Sequence, residues 1–207
     1  MDSWEIAGHT LEYLDNEHIY LVDGVIVPSI TQCLKSKFGN KYAAVDRVTL
    51  QRAADRGTEI HKAIELYCRE NAASDLEEVR NFKFLQTMYG FEVLDNEVPV
   101  ILLMDDEPIL AGRLDLVLEM TIKADRGNSS KQAIGLADIK TTSALDKEYL
   151  AYQLNLYHIA YQQSYGREVE FLRGVHLRGE KRKFAEIPIR EKAIWEYLKE
   201  YMKGEYK

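Results

Sequence analysis

The octapeptide GLADIKTT, residues 135–142, sets Asp138 and Lys140 two positions apart behind an apolar lead of Gly135, Leu136 and Ala137. On a pleated strand that spacing aims both side chains at one face. A carboxylate and an ammonium sharing a face make either an ordinary ion pair near a strand end or the acid and cation of a catalytic edge. Upstream, Asp115 interrupts an apolar run in GRLDLVLE. Alternation puts Arg113, Asp115 and Val117 on one face and Leu114, Leu116 and Leu118 on the other. Folding the two segments into a hairpin about the polar stretch KADRGNSSKQ brings Asp115 opposite Asp138. Facing carboxylates repel unless a cation lies between them, which is the physical argument for a metal. Two aspartates suit Mg²⁺, a cation that keeps several waters and needs few carboxylates. Lys140 would stand beside it, able to acidify water held there or to steady charge on a phosphate.

Two helical segments add to this pattern. RGTEIHKAIELY carries His61 next to an apolar stripe of Ile60, Ile64 and Tyr67, so the histidine is either a core residue or a ligand. Gly57, inside the same helical pattern, costs about 1 kcal/mol relative to alanine. Its presence predicts a close approach by another backbone. YLAYQLNLYHIAY sets Gln153 and Tyr157 four apart on one helix face. A packed tyrosine with a rim glutamine explains that pair equally well.

Taken in order, RG-x-x-x-H, G-x-x-D, D-x-K and Q-x-x-x-Y span Arg56 to Tyr157, about half the chain. This series resembles the RecB-type branch of the PD-(D/E)xK nuclease superfamily, and the opening YLVDGVIVPSITQCL is similar to the N-terminus of phage-encoded exonucleases in that group. The resemblance implies His61, Asp115 and Asp138 as metal ligands, joined by the backbone carbonyl of Ile139, with Lys140 as the catalytic lysine. Gln153 and Tyr157 would position the nucleic-acid strand or support the site. Glu97, in NEVPV, matches a less specific acidic position. An imidazole ligand makes Mn²⁺ as suitable as Mg²⁺. The chain departs from the pattern in two ways: Asp138 stands where glutamate is commoner, and no proline precedes Asp115. The cysteines that hold an iron–sulfur cluster in some relatives are also missing, so no such cluster is expected.

The expected activity is therefore hydrolysis of DNA phosphodiester bonds by a stand-alone Mg²⁺- or Mn²⁺-dependent nuclease. The resemblance points to a phage or prophage exonuclease of DNA recombination or repair. Its substrate would be double-stranded DNA with an end, or single-stranded DNA. A homo-oligomer and a recombination partner protein fit some relatives. A catalytically inactive nucleic-acid-binding module on the same fold is the alternative, though the intact Asp115, Asp138 and Lys140 count against it.

The elements that must position these residues follow from pattern and punctuation. The 207 residues, 46% hydrophobic and 29% charged, suit a single nuclease domain over residues 1–207. The predicted fold is α/β, a restriction-endonuclease-like core with a mixed central β-sheet flanked by helices and an N-terminal β-hairpin. That hairpin reads as HTLEYL and HIYLV around Asp15-Asn16-Glu17, with a turn at Asp23-Gly24 before VIVPS. Ser29 and Gln32 form a capping box for a first helix. Helices are expected over about 43–71, 76–89, 146–165 and 191–202. Strands are expected over FEVLDNEVPVILLM, PILAGRLDLVLEM, AIGLADIKTT, EVEFLRGVHLRG and KRKFAEIPI.

No apolar run is long enough to span a bilayer and no signal peptide is recognisable, so no membrane partner is expected. The expected location is the cytoplasm of a bacterial host or phage-infected cell. Cys33 and Cys68 are expected as free thiols. The formal net charge of −7 argues against broad nucleic-acid binding. Arg178, Lys181, Arg182 and Lys183 nevertheless form a basic tip, either a solvated hairpin or a contact for backbone phosphates. The closing stretch AIWEYLKEYM is expected to pack on the domain's own sheet, with an oligomer interface as the alternative.

Overall fold

The computed structural model describes residues 1–15, 17–39, 45–123 and 130–204. Four short strands open the chain: β1 (Asp2–Ile6), β2 (His9–Leu14), β3 (Ile19–Val22) and β4 (Val25–Val27), paired antiparallel in chain order. The predicted hairpin is thus part of a four-stranded meander. Its turns at Ala7-Gly8 and Asp23-Gly24 hold both residues at positive φ, the conformation that matches strand twist in a two-residue hairpin. Asp23 secures the second turn by accepting from the Thr10 amide at 2.9 Å and pairing with His9 at 2.7 Å.

Helix α1 (Ile30–Phe38) begins at the expected capping box. The Gln32 amide donates to Ser29 Oγ at 3.0 Å, and the Ser29 amide donates to Gln32 Oε1 at 2.7 Å. The next helix, α2, runs Arg47–Glu70, starting later than expected because Asp46 caps it by accepting from the Thr49 amide at 2.9 Å. Residues 43 and 44 of the predicted span lie outside the described residues. Helix α3 (Glu77–Tyr89) ends at Gly90 with φ 64°.

The second sheet comprises β5 (Phe91–Met104), β6 (Glu107–Lys123), β7 (Ser130–Lys140), β8 (Phe171–Arg178) and β9 (Lys181–Ile187), neighbours in that order. Its first three strands are antiparallel, β8 runs parallel to β7, and β9 returns antiparallel. Residues 124–129 of the predicted polar tip between β6 and β7 lie outside the described residues. The parallel step is made by α4 (Lys147–Tyr165), capped by Asp146 at one end and Gly166 at the other. Gly135 permits the β7–β8 pairing: a Cβ there would lie 2.0 Å from the Phe171 ring.

Helices cover both faces of this mixed sheet. On one, α1, α4 and the last helix, α5 (Glu191–Lys203), bury Leu34, Leu154 and Leu198 against Val100, Leu114 and Leu136. On the other, α2 and α3 bury Ile60, Ile64 and Phe82 against Leu116, Leu118 and Ile139. The N-terminal sheet closes over Ile101 and Ala111. The amphipathic α5 is held within the helical layer, where the Tyr197 hydroxyl donates to the Cys33 carbonyl at 2.7 Å. Both cysteines are free. No helix among the described residues is long and apolar enough to cross a membrane.

Candidate metal centre

The N-terminal sheet, the start of α1, α2 and the β5–β6–β7 strands enclose an open cleft of about 1250 Å³. His61, Glu97, Asp115, Asp138, Lys140, Gln153 and Tyr157 all line it. These residues come from one helix, three neighbouring strands and the helix that follows them.

The strands deliver their carboxylates through a local irregularity. Val98 pairs with Leu114 and Asn96 with Leu116, which sets Glu97 opposite Asp115. Glu97 has φ 51°, a left-handed conformation that disturbs strict alternation. Leu114 consequently belongs to the core under α4, while Leu116 and Leu118 belong to the core under α2 and α3. This corrects the expectation that all three leucines share a face. The strand changes sides at Asp115, so its carboxylate is buried in neither apolar layer.

Between β6 and β7 the register runs to Leu116↔Ala137, so the next residues on the two strands are Asp115 and Asp138. The expected juxtaposition is present. In place of a ladder bond, the Ile139 amide donates to Asp115 Oδ2 at 2.6 Å. Asp138, only 2% exposed, pairs with Lys140 at 2.5 Å, and its Oδ2 has no hydrogen-bond partner beyond that ammonium among the described residues.

From α2, His61 brings Nδ1 to 3.6 Å from Asp115 Oδ2. One donor atom each of His61, Glu97 and Asp115 lies within 4.8 Å of the others, a spacing that can hold a metal ion. Glu97 thus belongs to the three-donor group, and Asp138 stands beside it in the ion pair with Lys140. Ile139 contributes its backbone as well: its amide orients Asp115, and its backbone also hydrogen-bonds His61.

The electrostatics follow from crowding like charges in a partly dry place. Burial, then the Asp115 charge, pushes Glu97 up to about 7, although Arg113 opposes this with its Nε 3.0 Å from Glu97 Oε2. Burial, then Asp138, raises Asp115 well above the carboxylate range, with Lys140 opposing. Burial lowers His61, keeping its imidazole neutral and able to act as a ligand. Burial also works against the Lys140 ammonium, yet Asp138 and Asp115 together hold it above the usual lysine value. A cationic charge at this point would relieve the whole cluster.

The supporting residues sort less evenly. Tyr157, 5% exposed, donates its hydroxyl to the Arg113 carbonyl at 2.9 Å and so braces β6 two residues from Asp115. Gln153 is 6% exposed and its Oε1 is unpartnered among the described residues. Gly57 is approached by a side chain, not by the predicted backbone: a Cβ there would lie 3.3 Å from Thr141 Oγ1, just beyond Lys140.

The basic hairpin tip does not reach the cleft wall. Arg178 donates to the Thr141 carbonyl at 2.9 Å. Arg182 donates to Asn81 Oδ1 on α3 at 2.9 Å and lies over the Phe84 ring. Lys181 and Lys183 are exposed beside them. Cleft residues that the sequence did not mark as site candidates include Trp4, Glu65, Arg69 and Arg113. Glu65 and Arg69 sit four and eight residues after His61, so helical spacing alone could have found them.

No family model matches the chain, and no curated protein matches it. Sixteen chains of solved structures match in shape. One, described as the crystal structure of SSO0001, aligns over 86% of this chain and 75% of its own at 12% identity, with a TM-score of 0.44. An overlap at that level says nothing of this chain's activity.

Proposed function

We propose that this chain is a metal-dependent deoxyribonuclease of the PD-(D/E)xK type, RecB-like branch, on a restriction-endonuclease-like core. The observation that carries the reading is the convergence of His61, Glu97 and Asp115 within 4.8 Å in an open cleft, beside the Asp138–Lys140 ion pair. The element order supports it: a helix, three antiparallel strands, a crossover helix and a parallel strand match the order the resemblance implies.

One imidazole nitrogen and two carboxylates fit Mn²⁺ or Mg²⁺, with Asp138 beside them and the Ile139 carbonyl as the further ligand the resemblance implies. When bound, such a cation would neutralise phosphate charge and acidify water in the cleft. The protein's own groups do the remaining work. His61 offers a neutral nitrogen, and the Ile139 amide fixes the Asp115 rotamer. Asp138 holds the Lys140 ammonium where negative charge would develop on a phosphate oxygen. Gln153, whose Oε1 is buried and unpartnered among the described residues, would support the site.

Degradation of end-labelled linear duplex DNA beside its closed circular form, with Mg²⁺, Mn²⁺ or chelator, tests this. Metal-dependent loss of linear DNA alone, absent in Lys140→Ala, is expected of an exonuclease. Cleavage of circles as well would make it an endonuclease. Binding without cleavage by folded protein would leave a nucleic-acid-binding module and overturn the enzymatic reading.

A further inference from the structure

We propose that Trp4 is the base-stacking wall of the cleft, and that the cleft therefore takes an unpaired nucleotide at a strand end in preference to the flank of a duplex. The inference rests on the nucleic-acid reading of the same cleft and names its substrate class.

Three observations carry it. First, β1 turns Asp2, Trp4 and Ile6 to one face. Ile6 is buried in the core beneath, while Asp2 and Trp4 line the cleft. Trp4 is partly exposed, and no ring, cation or hydrogen-bond partner of its side chain occurs among the described residues. The neighbouring cleft aromatic, Tyr13, is by contrast fully engaged. Its ring lies tilted against Tyr20 with centroids 4.6 Å apart and 5.1 Å from the Arg113 guanidinium, and its hydroxyl bonds His18 at 2.7 Å. An indole packed against its own sheet's core and bordering the cleft is a surface on which any base can stack.

Second, the cleft is poorly suited to a phosphate track. Seven carboxylates line it against five Lys and Arg side chains. Four of those five cations are ion-paired to carboxylates of the same cleft: Lys62 and Arg69 to Glu65, Arg113 to Glu97, and Lys140 to Asp138. With four of its five cations already paired, the cleft has little left for backbone phosphates of either form, so affinity must come from stacking, and only unpaired bases offer a free face to stack. Third, the reacting groups are recessed. Asp138 is almost fully buried and the Asp115 side chain is 14% exposed, so the scissile phosphate must enter the cleft. A flexible single strand does this without distorting a helix.

The test uses intrinsic fluorescence in a Trp195→Phe background, where Trp4 is the one remaining tryptophan. Chelator is present so that no metal-dependent cleavage competes. Saturable quenching by a twelve-nucleotide oligo(dT) is expected, with a blunt twelve-base-pair duplex binding more weakly. Trp4→Leu should weaken single-strand binding about ten-fold, and Trp4→Phe only a few-fold, each measured by anisotropy of labelled DNA in the otherwise native protein. No quenching by oligo(dT), or equal single-strand affinity in Trp4→Leu, overturns the proposal. So does duplex binding as tight as single-strand binding. Quenching fully as proposed by a protein that never cleaves would sink the nuclease reading and leave this one standing. Cleavage of single strands at an unchanged rate by Trp4→Leu would do the reverse. The quenching experiment needs no substitution at Trp4, so a misfolded variant does not blunt it.

Discussion

Glu97→Gln should stabilise the metal-free protein at pH 8 while abolishing most of its response to Mn²⁺. In the folded chain Glu97 titrates at about 7 against an ordinary 4.5, chiefly through burial and then through the Asp115 charge. At roughly 1.4 kcal/mol per pH unit that gap amounts to about 3 kcal/mol. The sign is set by proton uptake. The folded state holds the Glu97 proton more tightly than the unfolded state, so this group's contribution to stability is fully present below pH 4.5 and is lost as pH rises through about 7. Glutamine removes this loss and also the pair with Arg113, a contribution of about 1 kcal/mol. The net gain at pH 8 is about 2 kcal/mol, or about 5 °C in Tm for a chain of this length.

The assay is a pair of thermal melts, wild type and Glu97→Gln, at several pH values from 4.5 to 8 in chelator and again in Mn²⁺. The difference between the two proteins should grow from near zero or slightly negative at pH 4.5 to its full value at pH 8. Wild type should gain about 2.7 kcal/mol at a hundredfold excess of Mn²⁺ over its Kd, and the variant far less. A difference that does not change with pH, or an unaltered Mn²⁺ response, would refute the reasoning.

Three further outcomes are expected. Calorimetry of His61→Ala should show Mn²⁺ affinity falling more than Mg²⁺ affinity, because the lost donor is a nitrogen. Tyr157→Phe should leave the Arg113 carbonyl without its hydroxyl partner and cost about 1–2 kcal/mol, read as a lower urea midpoint with an unchanged slope. Gly135→Ala should be among the most damaging single substitutions, by about 2 kcal/mol or more, since its methyl would overlap the Phe171 ring. A urea melt within 0.5 kcal/mol of wild type would show that β7 and β8 can separate freely.

Elements with explicit punctuation were readable from the residues. Ser29 with Gln32 announced α1, because capping is local chemistry between neighbours in sequence, and the helical pattern over 146–165 announced α4. Strand β1 was not read, since Trp4 and Ile6 become an alternating pair only once Ala7-Gly8 is recognised as a turn without asparagine or aspartate. The site was legible as a set of residues and less so as an arrangement. Asp138 and Lys140 share a face as their spacing requires, and Asp115 adjoins Asp138 as the hairpin requires. The prominence of Glu97 could not be read, because it depends on one left-handed residue and on a partner eighteen positions away. The placement of the basic hairpin tip was not readable for a related reason. Lys and Arg report charge, but whether they face the cleft or α3 is decided by tertiary packing around Asn81.

The change of sides at Asp115 has a mechanical consequence. Leu114 is anchored in one apolar layer and Leu116 in the other, so the intervening carboxylate is clamped from both directions. Loosening either layer must tug on Asp115, and the candidate metal site thereby acts as a gauge of the integrity of the entire sheet. Amide exchange at Leu116 and Ile139 should accordingly rise when the layer under α2 is loosened as well as on global unfolding. A cation bound at the centre would then protect amides in both helical layers at once, including those far from any coordinating atom.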